Sequence, residues 1–136
     1  MKIVHTADWH IGKKLHKQDL AEDFELFINW LCLRIEDQKI DVLLISGDVF
    51  DLANPSNEAK SLYYQSLLKL KNLGLQIIIT GGNHDSPAML NAPKSILAEL
   101  NVQVFGNLPE KIEDVLVPIY NAKKEVELVV AALPFL

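Results

Sequence analysis

Apolar residues follow two spacings along this chain, and the two spacings predict alternating strands and helices. Nearly continuous runs rich in β-branched residues are typical of strands covered on both faces. Apolar residues three and four positions apart are typical of one helix face. The predicted strands are residues 2–7, 40–46, 75–80, 101–105, 115–120 and 125–133. The predicted helices lie between the first four strands.

Local signals place the ends of these helices. Asp19, with Glu22 three residues on, has the spacing of a capping box and predicts a helix from there to about residue 38. Asn54-Pro55 predicts the start of the second helix, and Gly74 its end. Pro93 interrupts the third helical stretch, which begins at Ser86-Pro87. The element order predicts a mostly parallel α/β sheet with helices on its faces.

Composition and charge narrow the class of protein. A length of 136 residues fits one domain, and a hydrophobic fraction of 49% is enough for a sheet-and-helix core. The net charge of −5 is unlike that of a dedicated nucleic-acid-binding protein. The single cysteine, Cys32, excludes an intrachain disulfide and is expected to be a buried thiol. The sequence has neither a signal-peptide pattern nor a membrane-span pattern, so we expect a cytoplasmic protein.

Runs of polar residues follow the first three main strands, and they indicate a functional site. They are Asp8-Trp9-His10, the run 47–51 (Gly-Asp-Val-Phe-Asp) and the run 81–85 (Gly-Gly-Asn-His-Asp). Open α/β sheets place their sites at the carboxyl ends of strands. Oxygen and nitrogen ligands of this kind suit Mn, Fe, Mg or Zn. Each run alone has a bland interpretation as a surface acid, a turn or a solvated loop histidine, but their joint occurrence predicts a metal site.

The chemistry assigns a role to each polar side chain. Asp8 and His10, two apart on an extended segment, would reach one metal ion. The two oxygens of Asp48 are able to bridge two ions, and Asn83 offers a carbonyl oxygen. His84 would donate a proton or a hydrogen bond to phosphate, with Asp85 orienting it. Two divalent cations that share a bridging carboxylate are able to catalyse phosphoester hydrolysis.

These motifs resemble those of the calcineurin-like metallophosphoesterase superfamily. Within it, the stretches 5–12, 47–51, 82–86 and 133–136 are similar to the nuclease subunits of the SbcCD type. The resemblance implies an αββα sandwich, of which residues 1–136 would form the first half. It implies that Asp8 and His10 ligate the first metal, Asp48 bridges both, Asn83 ligates the second and His84 acts on the phosphate or leaving group.

The same resemblance implies a function and partners. The expected activity is a metal-dependent DNA exonuclease and endonuclease acting on duplex ends and hairpins in DNA repair, recombination and replication. The expected cofactors are two divalent metals, manganese first and magnesium as the alternative. The expected partners are DNA, an SMC-like ATPase and a second copy in a homodimer, with no membrane. The rival functions are a metallophosphatase or small-molecule phosphodiesterase, and a non-catalytic dimerisation module.

The chain departs from the superfamily pattern in one respect. The superfamily completes its site with later histidines, but the histidines here are His5, His10, His16 and His84. We therefore expect the N-terminal part of a nuclease domain, with weak metal binding and little or no activity by itself.

Surface roles are expected for two further groups of residues. Lys13, Lys14 and Lys17 would contact DNA phosphates, although a solvated charged loop fits them equally well. Asp51 would either orient a metal ligand or cap a loop. The segments 59–73 and 94–100 carry more apolar residues than one helix face needs, so either they pack on the sheet alone or they also form a dimer surface. The candidates for that surface are Leu62, Tyr63, Leu67, Leu97 and Leu100.

Overall fold

A parallel sheet of four strands organises the chain in the computed structural model, which describes residues 1–136. The elements are β1 (Ile3–Ala7), β2 (Lys14–Leu15), β3 (Gln18–Asp19), α1 (Ala21–Gln38), β4 (Val42–Ser46), α2 (Asn57–Lys71), β5 (Gln76–Thr80), α3 (Pro87–Asn91), α4 (Lys94–Glu99), β6 (Val102–Phe105), a 3₁₀ turn (Ile112–Val115), β7 (Leu116–Tyr120) and β8 (Val126–Ala131). The main sheet has the strand order β1-β4-β5-β6, and its neighbouring strands pair in parallel.

The two faces of the sheet are covered by different layers. Leu43 and Ile45 alternate with Val42 and Leu44 along β4, so the two pairs face opposite ways. The first pair belongs to the main core, which the buried residues of all four helices share. The second pair belongs to a smaller core with residues of β7 and β8. The predicted α/β fold is confirmed, and its helices all lie on one face while an antiparallel β7–β8 pair covers part of the other.

The helices begin slightly later than their sequence signals predict. The carboxylate of Asp19 accepts a hydrogen bond from the backbone N–H of Ala21 at 2.9 Å, and it is not the N-cap of α1. The second helix is capped by Ser56, whose hydroxyl accepts from the N–H of Ala59, so Asn54-Pro55 lies in the preceding loop. Gly74, with a φ of +80°, lies in the turn after α2. No helix combines the length and the apolar character that crossing a membrane requires.

A short hairpin between β1 and α1 is absent from the sequence prediction. Strands β2 and β3 are two residues each, too short to show a hydrophobic period. Their two-residue turn is His16-Lys17, and both residues have a positive φ. That conformation is typical of tight hairpin turns.

Burial corrects the predicted dimer surface. The side chains of Tyr63, Leu67 and Leu97 are 1%, 2% and 4% exposed and belong to the chain's own core. The prediction is therefore wrong for these three residues, because their apolar surface is already used inside the fold. Leu62 and Leu100 are partly buried and pack against the same core.

Cys32 lies on α1 at the margin of the core, where it is only partly buried. Burial raises the pKa of its thiol, and Glu36 adds to the rise while Lys69 opposes it. A raised pKa keeps the sulfur protonated at neutral pH, so this thiol is a poor nucleophile.

The buried hydroxyl of Tyr63 generates a stability prediction. Its ring packs edge-on to Phe50 at 5.1 Å, and its oxygen has no hydrogen-bond partner. An unpaired buried hydroxyl costs roughly 1–3 kcal/mol. We expect Tyr63→Phe to keep the ring packing and raise the free energy of unfolding by about 1 kcal/mol in a urea titration. Tyr64→Phe, at a less buried site, serves as the control, and a loss of stability in Tyr63→Phe would contradict this account.

Candidate metal centre

The three polar runs meet because their strands are neighbours and end at one level. Ala7 pairs with Ser46, and Ser46 pairs with Thr80. Backbone hydrogen bonds continue beyond the strands, from the N–H of Asp8 to the carbonyl of Gly47 at 3.2 Å and from the N–H of His10 to the carbonyl of Asp48 at 2.9 Å. The loops after β1 and β4 are therefore held side by side.

Asp8, His10 and Asp48 form a cluster that is able to hold a cation. One ligand atom from each lies within 4.8 Å of the others. Nε2 of His10 is 3.8 Å from Oδ2 of Asp48. Two carboxylates and an imidazole suit a hard or borderline divalent cation. The side chains of His10 and Asp48 are mostly buried, so a cation here would be partly shielded from water.

All three cluster residues have left-handed backbone conformations. Asp8 has a φ of 55°, His10 of 46° and Asp48 of 45°. The expectation that Asp8 and His10 meet because the chain is extended is therefore wrong: the chain turns sharply at both. Positive φ is uncommon for residues other than glycine. Such strain persists only where surrounding structure enforces it, and it clusters at functional sites.

Gly82 is a site residue to which the sequence analysis gives no role. A Cβ at this position would collide with Oδ1 of Asp48 and with its backbone nitrogen. The same Oδ1 accepts a hydrogen bond from the N–H of His84 at 3.0 Å. Only glycine lets the loop after β5 approach the Asp48 carboxylate this closely.

Asn83 shares an open cleft with Asp8 and Asp48. The cleft is bordered by the segment 133–135, and Phe135 donates its backbone N–H to the carbonyl of Gly81 at 2.9 Å. The donor types of Asp8, His10 and Asp48 fit one divalent cation. The prediction that Asn83 ligates a second cation stays a prediction, since what the structure gives is that Asn83 and Asp48 line the same cleft.

His84 is held by a main-chain oxygen. Its Nδ1–H donates to the carbonyl of Asp51 at 2.8 Å, and this hydrogen bond is the main cause that raises the pKa of His84. The ring is edge-on to that of His10, with the centroids 5.1 Å apart. With Nδ1 engaged, Nε2 is the nitrogen left to act on a phosphate oxygen.

Asp85 does not have the orienting role that the sequence analysis gave it. Its buried carboxylate accepts three backbone hydrogen bonds, from Val49 at 3.0 Å, Phe50 at 2.9 Å and Gly82 at 2.8 Å. All of its observed hydrogen bonds are with loop backbone, and none is with the ring of His84. Asp85 instead ties the loop of Asp48 to the loop of Asn83.

The three lysines occupy different positions. Nζ of Lys13 lies 4.0 Å from Oδ1 of Asp51, beside the cluster. Lys14 lies in β2 and Lys17 in the hairpin turn, and both are exposed. Their predicted contact with DNA stays a prediction.

The contact between Gly82 and Asp48 generates a prediction about metal affinity. Gly82→Ala should displace the Asp48 carboxylate and lower Mn²⁺ affinity by at least about tenfold in isothermal titration calorimetry, the size of effect typical of lost ligand support. Gly74→Ala is the control for backbone strain without a clash, since its φ of +80° disfavours a side chain but nothing lies within 4 Å of a Cβ there. Equal affinities in the two variants would contradict the steric account.

The three hydrogen bonds to Asp85 generate a prediction about the metal-free protein. Asp85→Asn places an amide N–H₂ against backbone N–H groups, so part of the tie is lost. We expect the free energy of unfolding to fall by about 3 kcal/mol in metal-free urea titrations. Asp114→Asn, at an exposed position, removes the same charge and should have little effect. An unchanged stability in Asp85→Asn would show that the carboxylate does not hold the loops.

Comparison with known proteins agrees with this geometry. A family model described as calcineurin-like phosphoesterase matches residues 1–128. The chain is 39% identical to the SbcD component of the SbcCD nuclease of Rhodobacter capsulatus over 143 aligned positions, covering 100% of this chain and 35% of the relative. It is 35% identical to the protein of that name in Escherichia coli K12, over 79% of this chain and 27% of the relative. It is 36% identical to the one in Bacillus subtilis, over 78% of this chain and 27% of the relative. The chain thus spans about a third or less of the length of these relatives. Because the family model matches nearly all of the chain, the chain belongs to the calcineurin-like phosphoesterase family.

Proposed function

We propose that this chain is the first part of a two-metal DNA nuclease domain of the SbcD type, which hydrolyses phosphodiester bonds. The observation that carries the proposal is the convergence of Asp8, His10 and Asp48 within 4.8 Å at the ends of two paired strands. Strained backbone at all three residues supports a functional rather than a structural role.

The ligand set suits phosphoester chemistry. Divalent cations held there would polarise a phosphoryl oxygen, activate water and stabilise the leaving oxygen. Asp48 would serve both cations, since its Oδ2 lies 3.8 Å from Nε2 of His10 and the residue also lines the cleft with Asn83. Manganese is the proposed native metal, with magnesium as the alternative, because both accept carboxylate, amide and water oxygens.

His84 is the proposed catalytic histidine. Its Nδ1–H is committed to the carbonyl of Asp51, which leaves Nε2 free at an exposed site next to the cluster. The raised pKa favours the protonated ring, which suits an acid that stabilises phosphoryl charge or protonates a leaving alkoxide.

DNA and an SMC-like ATPase are the proposed partners. The name of the relatives describes one subunit of a nuclease, which supports a partner subunit. The SMC-like ATPase, the DNA substrate and the proposed role at duplex ends and hairpins in DNA repair, recombination and replication rest on the resemblance of the sequence motifs. Lys13, beside the cluster, and Lys14 and Lys17, on the exposed hairpin, are the proposed phosphate contacts.

A homodimer is also proposed, on a surface revised by the structure. Leu68 on α2 and Ile96 on α4 have exposed side chains, at 51% and 70%. They replace the three buried residues as candidates for the dimer contact, and the partly buried Leu62 and Leu100 stay candidates.

Two rivals remain alternatives. A metallophosphatase or small-molecule phosphodiesterase would use the same cluster, because a fold of this kind supports many substrates. A non-catalytic dimerisation module would keep the cluster as a remnant. No contact described above favours either one over the nuclease.

The proposal is tested by Mn²⁺-dependent digestion of an end-labelled DNA duplex by the full-length protein that carries this sequence. We expect Asp48→Ala to reduce cleavage by about a thousandfold, because it removes a ligand shared by both cations and so costs several kcal/mol of transition-state stabilisation. Asp37→Ala, an exposed residue of α1, is the charge-matched control. The 136-residue chain by itself is expected to bind Mn²⁺ weakly and to cleave little or no DNA.

Each rival predicts a different outcome. Faster hydrolysis of a chromogenic phosphomonoester than of DNA, lost in the same variant, would favour the phosphatase. Hydrolysis of neither substrate by the full-length protein with Mn²⁺ would favour the non-catalytic module. Cleavage by the 136-residue chain that Asp48→Ala abolishes would show that its own ligands complete the site.

A further inference from the structure

The imidazole of His10 lies between two carboxylates, one beside each nitrogen. Nε2 is 3.8 Å from Oδ2 of Asp48, and Nδ1 is 3.3 Å from Oδ1 of Asp51. Asp51 and His84 form a second group with His10 in which the ligand-type atoms lie within 4.8 Å of one another. His10 therefore links the metal cluster to a residue that the cluster does not contain.

The chemistry of imidazole gives the two nitrogens different tasks. A neutral ring has one N–H donor and one nitrogen with a lone pair, and only the lone pair binds a metal. If Nε2 faces the cation with Asp8 and Asp48, Nδ1 must carry the proton. Nδ1 is buried, and in this structure it has no aligned hydrogen bond. A buried N–H needs an acceptor, and the Asp51 carboxylate is the acceptor beside it.

We propose that Asp51 is a positioning residue for His10. Its carboxylate holds Nδ1–H of His10 and so presents Nε2 to the cation, whereas the contact of its carbonyl with Nδ1–H of His84, described above, does not involve the side chain. The presentation of Nε2 to a cation rests on the proposed metal-binding function.

The backbone around Asp51 supports this role. Its N–H donates to the carbonyl of Ile11 at 3.2 Å, which ties Asp51 to the residue after His10. The preceding residue, Phe50, donates its N–H to the Asp85 carboxylate at 2.9 Å. The main chain leading to the contact is thus held at two successive residues. The 3.3 Å separation is long for a hydrogen bond, and catalytic hydrogen bonds often tighten only in the loaded site.

The two contacts of Asp51 are experimentally separable, because one uses the side chain and the other the main chain. Asp51→Ala removes the acceptor for His10 and leaves the carbonyl that holds His84. Asp51→Asn keeps an acceptor oxygen but removes the charge. If Asp51 orients His10, Asp51→Asn should keep the His10 tautomer and the Mn²⁺ affinity that Asp51→Ala loses. If Asp51 acts through its charge alone, both variants should lose them.

The first test reads the histidine tautomers of the metal-free protein by nitrogen-15 NMR, at a pH high enough that the ring nitrogen shifts no longer change with pH. We expect Nδ1–H at both His10 and His84 in the wild type and in Asp51→Asn. In Asp51→Ala, His10 should lose that preference and His84 should keep it. An Nδ1–H preference at His10 that survives in Asp51→Ala would overturn the inference.

The second test measures Mn²⁺ affinity of the same variants by calorimetry. Loss of a partner that orients a metal-binding histidine typically costs about 10–100-fold in affinity, and we expect that loss in Asp51→Ala. Asp51→Asn should stay within a few-fold of the wild type. Asp37→Ala controls for the lost charge. Equal losses in Asp51→Asn and Asp51→Ala would overturn the inference in favour of a charge effect.

The two tests separate failure of this inference from failure of the proposed function. A wild type that binds no Mn²⁺ but shows the expected tautomers would refute the metal-binding function and uphold the pairing of the Asp51 carboxylate with His10. A wild type that binds Mn²⁺, with a His10 tautomer independent of Asp51, would uphold the function and refute the positioning role.

Discussion

The carboxylate of Asp85 is the contact on which the geometry of the centre depends. It accepts backbone hydrogen bonds from Val49, Phe50 and Gly82, and so joins the loops that follow β4 and β5. Hydrogen bonds to a buried carboxylate are stronger than neutral ones. With the two loops joined, Asp48 on one and Asn83-His84 on the other have a defined separation before any cation arrives.

The backbone strain at Asp8, His10 and Asp48 is sustained by these contacts. Left-handed backbone at Asp8, His10 and Asp48 is unfavourable in an isolated chain. The backbone hydrogen bonds that extend beyond β1 and β4, together with the Asp85 contacts, hold these residues in place. The approach of Gly82 to Asp48 then closes the loops so tightly that no Cβ fits. The hydrogen bonds around the strand ends thus maintain an unfavourable backbone conformation at these three residues.

The two cores divide the tasks of the fold. The helix-side core surrounds the alternate residues of the parallel strands and fixes their register. The smaller core lies between the main sheet and the β7–β8 pair. The segment after β8 returns to the main sheet, where the backbone N–H of Phe135 donates to the carbonyl of Gly81. Residues 133–135 consequently border the cleft that Asn83 shares with Asp48.

The sequence by itself determined the order of the elements and which residues follow the strand ends. Hydrophobic spacing and turn residues are local signals, so the main strands were predicted within about two residues of their observed bounds. The polar runs indicated which side chains would meet, because parallel strands bring their carboxyl ends to one edge, and Asp8, His10 and Asp48 do meet there. Only the tertiary structure decided which contacts those residues make. Asp85 reaches the loop after β4 across 35 and 36 positions of chain, and the carbonyl of Asp51 reaches His84 across 33, so local pattern carries no information about these pairs. The need for glycine at 82 depends on where Asp48 lies, and the burial of Tyr63 depends on which helix face meets the sheet. Long-range packing sets these contacts, whereas local spacing sets the elements that carry them.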